Sequence, residues 1–533
     1  MGGRVRWGWV AAVAAVAAAA CAGGSGSGGG GPGTPAVQTP DAGNAEPGTP
    51  DAGAPDAGVT LTPPLTKDAW TFFDQGQGLG REVHDVSADE GGNVYVAGGD
   101  AVYAKRPGDE AFLRFDAANA GLTKNCNDPA QIANPTPPGP FVQCPVISVG
   151  GAAPGKAIVG FQGIGSDFDS DADWAMSSGG IDVVSFDGQA LTRTRHVLVA
   201  SPPHTVCVSQ KCDPATGKCF DFETHATSCG GYDFTYWPGG RRKTRQVMRI
   251  AVNHDKSKPA YGDVWMGGTH ATLSGFLNNP GARHFWIDRT EGQGPQWADA
   301  KDVWEHVHPA ISGSRGQFLT GITHAVAIDP ITGVPFGHNY FRLAHLVGYD
   351  GSSFSSDQVW FESTPFIDVW HDGGGPPEDP PSSDMGESIS FCDDGTLWVA
   401  SQGHGIAHLF RDALYSPSGP GSPDGVSVTP PAEYHSLPAP YDASNVWSIA
   451  CDPDGSVWVG MVWGGVLRFK DGQFTPAWGP GDSDVPTWAV NNPAHSIQID
   501  RWSTPRRVHL AFESFVDKTG KVVPGGVATY AGK

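Results

Sequence analysis

The sequence predicts an all-β chain in which one supersecondary unit is repeated around a circle, and three observations predict it. The first is composition: 74 glycines, 45 prolines and 18 tryptophans among 533 residues, with only 17% charged residues, the profile of many short strands joined by turns. The second is the stretch Asn445 to Gly460, running on to Gly464-Gly465-Val466-Leu467-Arg468-Phe469. It reads as an alternating strand, a tight Asp/Gly turn at Asp452 to Gly455, a β-branched and aromatic strand, a Gly-Gly break and a third strand. The third is that this unit recurs. A single sheet of this kind exposes two apolar faces that only neighbours on both sides can cover, so repetition predicts a seven-bladed β-propeller over residues 67–533.

The copies align on the apolar residue of the first strand and on the second strand. Copy one is Val83 to Val86, turn Asp89 to Gly92, then Asn93 to Ala97. Copy two is Val146 to Val149, then Lys156 to Gly160, with a third strand at Ile181 to Phe186. Copy three is Val247 to Ile250 and Gly262 to Gly267; copy four is Thr323 to Val326 with a turn at Asp329 to Gly333. Copy five is Glu387 to Ile389, turn Asp393 to Gly395, then Leu397 to Ala400, and copy six is the opening stretch. Copy seven is His495 to Ile497, Arg507 to Ala511 and Gly526 to Tyr530, after which the chain has no fourth strand to offer. Trp70-Thr71-Phe72-Phe73 stands alone before copy one. It is expected to supply the missing strand and shut the ring by ladder hydrogen bonds. Trp265, Trp398 and Trp458 occupy equivalent second-strand positions and are expected to pack between blades rather than face a sugar.

Copies five and six resemble the two-component-regulator propeller repeat of bacterial sensor proteins, with its Val-x-x-Ile-x-x-Asp-x-x-Gly-x-Leu-Trp-Val-Gly pattern; copy one resembles it in part. The resemblance implies a seven-bladed ring serving as an extracytoplasmic sensing module. The sequence departs from that family in showing neither a transmembrane helix nor a kinase.

Residues 1–20 read as an export signal, with Arg4 and Arg6 before the short apolar run Trp7 to Ala20. Ala18-Ala19-Ala20 followed by Cys21 resembles a bacterial lipoprotein signal, which implies lipidation of Cys21; the alternative is an ordinary cleaved signal with a chance cysteine. Ala22 resembles the outer-membrane sorting class. Residues 21–66 are Gly, Pro, Ala and Asp-rich, with Pro-Asp-Ala-Gly starting at Pro40, Pro50 and Pro55, and are expected to form a disordered tether.

A formal net charge of −22 disfavours nucleic acid and anionic lipid as partners, so the membrane is expected only through the anchor. Setting Cys21 aside leaves an even number of the nine cysteines in an oxidising compartment. Cys126 with Cys144 is expected to close one Pro-rich loop. Cys207, Cys212, Cys219 and Cys229 lie in another insertion, and their spacing suits disulfides better than zinc. Cys392 and Cys451, near the ends of first strands in neighbouring copies, either bridge those copies or are two buried thiols.

Two places could hold chemistry. The first strands line a central channel, and two residues before the aligned Val/Ile the seven copies place His84, Ile147, Met248, His324, Glu387, Trp447 and His495 at one level. Three imidazoles and a carboxylate there could bind a transition metal, with His270, His338 and His404 added from loops after second strands. The geometry is similar to that of the carotenoid oxygenases, whose sequence motifs are absent. The opposing reading is a solvated mouth that tolerates polar residues. The second place is Asp167, Asp169, Asp171 and Asp173, which resemble the start of a calcium loop but lack its later Gly and Glu; a solvated acidic loop is the alternative. No nucleophile-elbow, zinc-protease, phosphate-loop or haem motif is present. Propellers such as the streptogramin lyases catalyse without a linear motif, so fold does not exclude an enzyme.

The function expected is a monomeric, lipid-anchored cell-envelope scaffold, periplasmic or surface-exposed. It would bind a small-molecule or protein ligand on its loop-rich face, where long loops at Asn119 to Cys144, Ser201 to Arg241 and Leu277 to Gln317 emerge. The alternative is a metal-dependent lyase or oxygenase at the channel mouth.

Overall fold

A computed structural model describes residues 61–127, 141–163, 180–197, 204–212, 219–224, 234–237, 247–258, 260–268, 272–276, 323–339, 342–347, 360–363, 386–401, 405–415, 432–441, 446–517 and 519–532. All of these but Leu61 belong to one compact unit, Thr62–Lys533. Cys21, the tether up to residue 60, Asp167 to Asp173, Cys229, His270 and His404 lie outside the described residues.

Among the described residues, seven antiparallel sheets follow one another along the chain, each with its first strand at one edge. Those first strands are Asp85–Ala88, Val146–Gly151, Val247–Val252, Thr323–Ile328, Gly386–Phe391, Val446–Cys451 and Ala494–Asp500. Each packs beside the next, and Ala494–Asp500 packs beside Asp85–Ala88, so the circuit closes. Sheets radiating from a closed circuit of inner strands make this a β-propeller.

The seam is closed as the sequence predicts. Trp70–Phe73 pairs antiparallel with Gly526–Ala531 in the register Trp70↔Tyr530, Thr71↔Thr529, Phe72↔Ala528 and Phe73↔Val527. Trp70 then packs edge-on against Trp458 and Trp478, with ring centroids 5.6 and 4.6 Å away, which couples the first described strands to the sixth sheet. Edge-to-face pairs of this kind add about 0.5–1.5 kcal/mol each beyond their buried area. One strand was not foreseen. Leu65–Lys67 folds back on Trp70–Phe73 as a fifth strand, so ordered structure begins inside the segment assigned to the tether. The tight turn at Asp68, with φ of 53°, makes that return in two residues.

The three tryptophans pack as expected, each buried against the following sheet. Trp265 joins Val334 and Phe336, Trp398 joins Val446 and Val459, and Trp458 joins Val508 and Leu510. The repeat's other signature residues have equally local reasons. Asp452, at the end of its inner strand, accepts from the Trp458 indole Nε1 at 2.9 Å, and Asp89 accepts from the Tyr95 hydroxyl at 2.8 Å. Gly460 is where a Cβ would sit 2.2 Å from Ser448 Oγ and 2.7 Å from Ala494 O, the donor and acceptor of a hydrogen bond between neighbouring inner strands. Only glycine leaves that bond room.

Two segments expected as loops carry strands of their own. Lys124–Asn127 pairs with Phe141–Gln143, and the Cys126–Cys144 disulfide spans this ribbon as expected. His204–Cys212 pairs with both Cys219–Thr224 and Phe234–Trp237, a register that sets Cys212 opposite Cys219; the side chains of Cys207, Cys212 and Cys219 lie outside the described residues. The choice left open for Cys392 and Cys451 resolves to a disulfide, which ties the fifth inner strand's turn to the sixth inner strand.

Candidate ligand-binding site

The position singled out by alignment has a common backbone cause. In sheets two to seven the ladder between first and second strands skips one residue, and the skipped residues are Ile147, Met248, His324, Glu387, Trp447 and His495. Each is the extra residue of a β-bulge, which bends the strand and re-aims its side chain. In the first sheet His84 donates its N–H to Ala97 O at 2.8 Å, while Ala97 pairs with Asp85, so His84 crowds the ladder at the same place. The bulge sits at the start of these six inner strands, and His84 holds the matching place in the first, where blade-to-blade connections enter.

In the first, second, sixth and seventh sheets the residue after this position stitches inner strands together. Ser448 Oγ donates to Ala494 O at 2.5 Å, Ser148 Oγ donates to Val247 O, and Ser496 Oγ accepts from Val86 N at 3.1 Å. Asp85 plays the same part with its carboxylate, accepting from Val149 N at 3.0 Å. Arg249 breaks the pattern. Its guanidinium reaches across the circuit, donating from Nη2 to His495 O at 2.8 Å.

Around that arginine a charged cluster assembles. His84 Nδ1 lies 3.1 Å from Glu513 Oε1, and its Nε2 lies 3.6 Å from Glu82 Oε2. Burial opposes the charge on His84, but the hydrogen bonds and charges of Glu513 and Glu82 outweigh it and raise its pKa to about 9. His495 donates from Nδ1 to His84 O at 2.5 Å. Burial pushes its pKa below the ordinary value, against the pull of Glu513, and the neutral ring stands 5.9 Å from that of Trp447. Burial works against the charge on Glu513, yet the hydrogen bond and charge of His84 and the charge of Arg249 hold its carboxyl below the usual range. Glu82 remains half exposed, and Glu513 is partly buried. Two N–H donors in this group are buried without a hydrogen-bond partner: Arg249 Nη1 and Trp447 Nε1.

Of the residues the sequence nominated, His84 and His495 therefore meet. His324 and Glu387 share their backbone position, but their side chains lie outside the described residues. His338 does not belong to a mouth loop. It is a strand residue in Pro335–Asn339, paired with Ala325 and Leu343 at the place that Gly460 holds opposite Ser448 in the sixth sheet, and only 1% exposed. Both described mouth imidazoles spend Nδ1 on the protein, and among the described residues no group of three His, Cys, Asp or Glu side chains could hold a metal ion. Glu513 and Arg249 carried no signal in the sequence, since only the closed circuit brings them to His84 and His495; Glu82 lies two residues before His84, outside the aligned position.

The opposite end of the inner strands is bridged. Glu90, in the first sheet's turn, has its carboxylate buried against the third sheet's turn, with Lys256 Nζ at 2.8 Å, Tyr261 OH at 3.0 Å and His254 Nδ1 at 3.2 Å. The His254 ring lies 4.5 Å from that of Trp502 in the seventh sheet's turn. Arg501 of that same turn pairs with Asp393 of the fifth. These links join sheets that are not neighbours in the circuit.

Comparisons with known proteins give likenesses to solved structures and one short family match. Among curated proteins nothing matches. YCF48 from Cyanidioschyzon merolae is similar in fold at 11% identity, over 87% of this chain and 99% of that one, with a TM-score of 0.43. Sqt1 of Saccharomyces cerevisiae is similar at 12% identity, over 89% and 100%, with a TM-score of 0.42. The extracellular domain of the one component system BT4673 from B. thetaiotaomicron aligns at 11% identity, over 83% of this chain and 54% of that one, with a TM-score of 0.26. Residues 440–462 match the family described as two component regulator propeller. The chain is thus a β-propeller that carries a repeat of the two component regulator type in its sixth sheet.

Proposed function

We propose that this chain is an extracytoplasmic β-propeller of seven blades that works as a ligand-binding scaffold, held to the cell envelope through Cys21 and the tether of residues 21–66. The observation that carries the reading is the convergence of bulge residues on one end of the inner strands, where His84, His495, Glu513 and Arg249 gather. Bulges that re-aim side chains at the rim of a closed sheet are a recurrent way to build a site. The bridged turn end supports the same orientation, because it leaves the bulge end as the approach. A small solute or a peptide of a partner protein fits a mouth of mixed charge better than nucleic acid does, given the formal net charge of −22. Among the described residues no helix is long and apolar enough to cross a membrane, so the anchor carries the attachment in this reading.

A defined library of small solutes and synthetic peptides, read by ligand-observed NMR on the full chain, tests the site. Ligands bound by the native protein and lost in the double variant His84→Ala/His495→Ala support it, whereas ligands bound equally by both move the site elsewhere. Attachment is tested separately by detergent-phase partitioning. Native protein is expected in the detergent phase and Cys21→Ser in the aqueous phase; native protein in the aqueous phase overturns lipidation.

A further inference from the structure

We propose that the bulge-end mouth takes a small zwitterionic solute of the α-amino acid class, its carboxylate received by Arg249 Nη1 and Trp447 Nε1 and its ammonium by Glu82 and Glu513. This rests on the ligand-binding reading above and narrows it to one ligand chemistry.

The argument begins with the two unpartnered donors. Arg249 Nη1 and Trp447 Nε1 are buried and hydrogen-bonded to nothing, although Arg249 Nη2 and every polar group of the neighbouring Ser448 and Asp85 stitches are engaged. A buried N–H without an acceptor is costly, most of all on a guanidinium. Both donors border His495: Arg249 bonds its carbonyl, and the Trp447 ring faces its imidazole. What satisfies them must be acceptor-rich. A carboxylate is the group whose oxygens suit a guanidinium edge, and charge assistance makes that bond strong.

Charge then selects within the carboxylates. Arg249 and His84 already stand against three carboxylates, Glu82, Glu513 and the buried Asp85. A bare carboxylate would add a further negative charge beside Glu513, and a partly desolvated unpaired charge is unfavourable. A solute that carries its own ammonium adds no net charge. Glu82 is the group placed to meet that ammonium, being half exposed with its carboxylate 3.6 Å from the His84 ring. The neutral His495, with Nδ1 committed to His84 O, turns Nε2 into a further acceptor.

The test uses the full chain at pH 7 with three probes of similar size: L-alanine, propionate and ethylammonium. Saturation-transfer NMR is expected to show L-alanine binding at least tenfold more tightly than either analogue. Trp447→Phe, which keeps a ring and removes only the N–H, is expected to weaken L-alanine tenfold or more, as is Arg249→Gln. Should Arg249→Gln fail to fold, as judged by its melting curve, Trp447→Phe decides alone. Ethylammonium binding as well as L-alanine, no binding of L-alanine, or binding that Trp447→Phe leaves unchanged each overturns the assignment. Mouth-dependent library ligands that lack a carboxylate would overturn it while leaving the scaffold reading intact; a library with no mouth-dependent ligand would take down the scaffold reading itself.

Discussion

At the turn end of the sixth inner strand, Asp452 is wholly buried and gives both oxygens to the scaffold, one to the Arg506 Nε at 2.8 Å and the other to the Trp458 Nε1 at 2.9 Å. At the bulge end of the same strand, five residues earlier, Trp447 keeps its Nε1 buried and unpartnered. The contrast holds around the ring. Asp329 is gripped by Arg411 at 3.0 Å and by Tyr415, Asp89 by Tyr95 and the Gly155 N–H, and Asp500 by Ser503. The bulge positions, in turn, differ from copy to copy, through His, Ile, Met, Glu and Trp. Repeated chemistry, with a buried carboxylate gripped by the scaffold in copy after copy, marks the end that holds the propeller together. Varied chemistry with donors to spare marks the end that is free to meet something else.

The largest effect that would sharpen this contrast is expected from Asp452→Ala. It leaves the buried Trp458 N–H without its acceptor and takes from the Arg506 guanidinium its closer carboxylate, with only Asp454 Oδ2 remaining at 3.4 Å. Breaking a buried pair costs about 3–5 kcal/mol, and the lower end applies here because about a quarter of the Arg506 side chain remains in water. Denaturant unfolding should therefore show a loss of about 3 kcal/mol, against less than about 1 kcal/mol for Trp447→Phe, a change at a partly exposed position with no bond to lose. Equal losses from the two substitutions would end the distinction between the ends.

A middle-sized effect belongs to Gly460→Ala, which probes the stitch below the bulge. The added Cβ would collide with Ser448 Oγ, and overpacking of this sort costs about 1–3 kcal/mol. Because the clash is with the hydroxyl, Ser448→Ala in the same chain should return part of that loss. A double-mutant cycle in unfolding free energy measures the coupling, expected at about 1 kcal/mol and favourable. Simple additivity would mean that the Ala494 backbone, 2.7 Å away, is the true obstacle.

Much of the architecture was legible because the repeat encodes it locally. Asp452, Gly455, Trp458 and Gly460 each act on groups within one or two strands, so their spacing survives copying and can be aligned by eye. The seam was legible from strand pattern: copy seven shows three strands, Trp70–Phe73 stands apart before copy one, and the two pair. The bulges were half legible. Alignment found His84, Trp447 and His495 as equivalents without revealing that an extra residue in the ladder makes them so. Glu513 and Arg249 could not be found this way, since 429 residues separate Glu513 from the His84 it binds, and Arg249 reaches a strand four sheets further along. His338 and the strand Leu65–Lys67 failed in the opposite direction, where copies without the Trp-Val-Gly signature gave no mark for the end of a strand.

The smallest effect is one of pH, and it sharpens the comparison most finely because it reads the mouth without disturbing the ring. His84 faces Glu513 and Glu82 through its ring nitrogens, with His495 bonded to its carbonyl, Asp85 next in sequence and Arg249 beyond His495. Its pKa of about 9 in the fold exceeds the ordinary histidine value near 6.5 expected when unfolded. Folding therefore favours the protonated ring. Its contribution is complete below about pH 6.5, where both states are protonated, and fades as pH rises through about 9, where the folded state releases its proton. Unfolding free energies of native protein and His84→Ala should differ by a constant amount in the acid part of that range and converge above it. The difference is expected to stay near or below about 1 kcal/mol, since Glu82 is half solvated. Glu513→Gln should bring the His84 titration, followed by histidine NMR, back toward neutrality without moving Asp452 or its partners. A His84 that titrates near 6.5 in the native protein would show that the two carboxylates are directed at something other than the imidazole, and would leave the mouth with one positive charge fewer than the ligand argument requires.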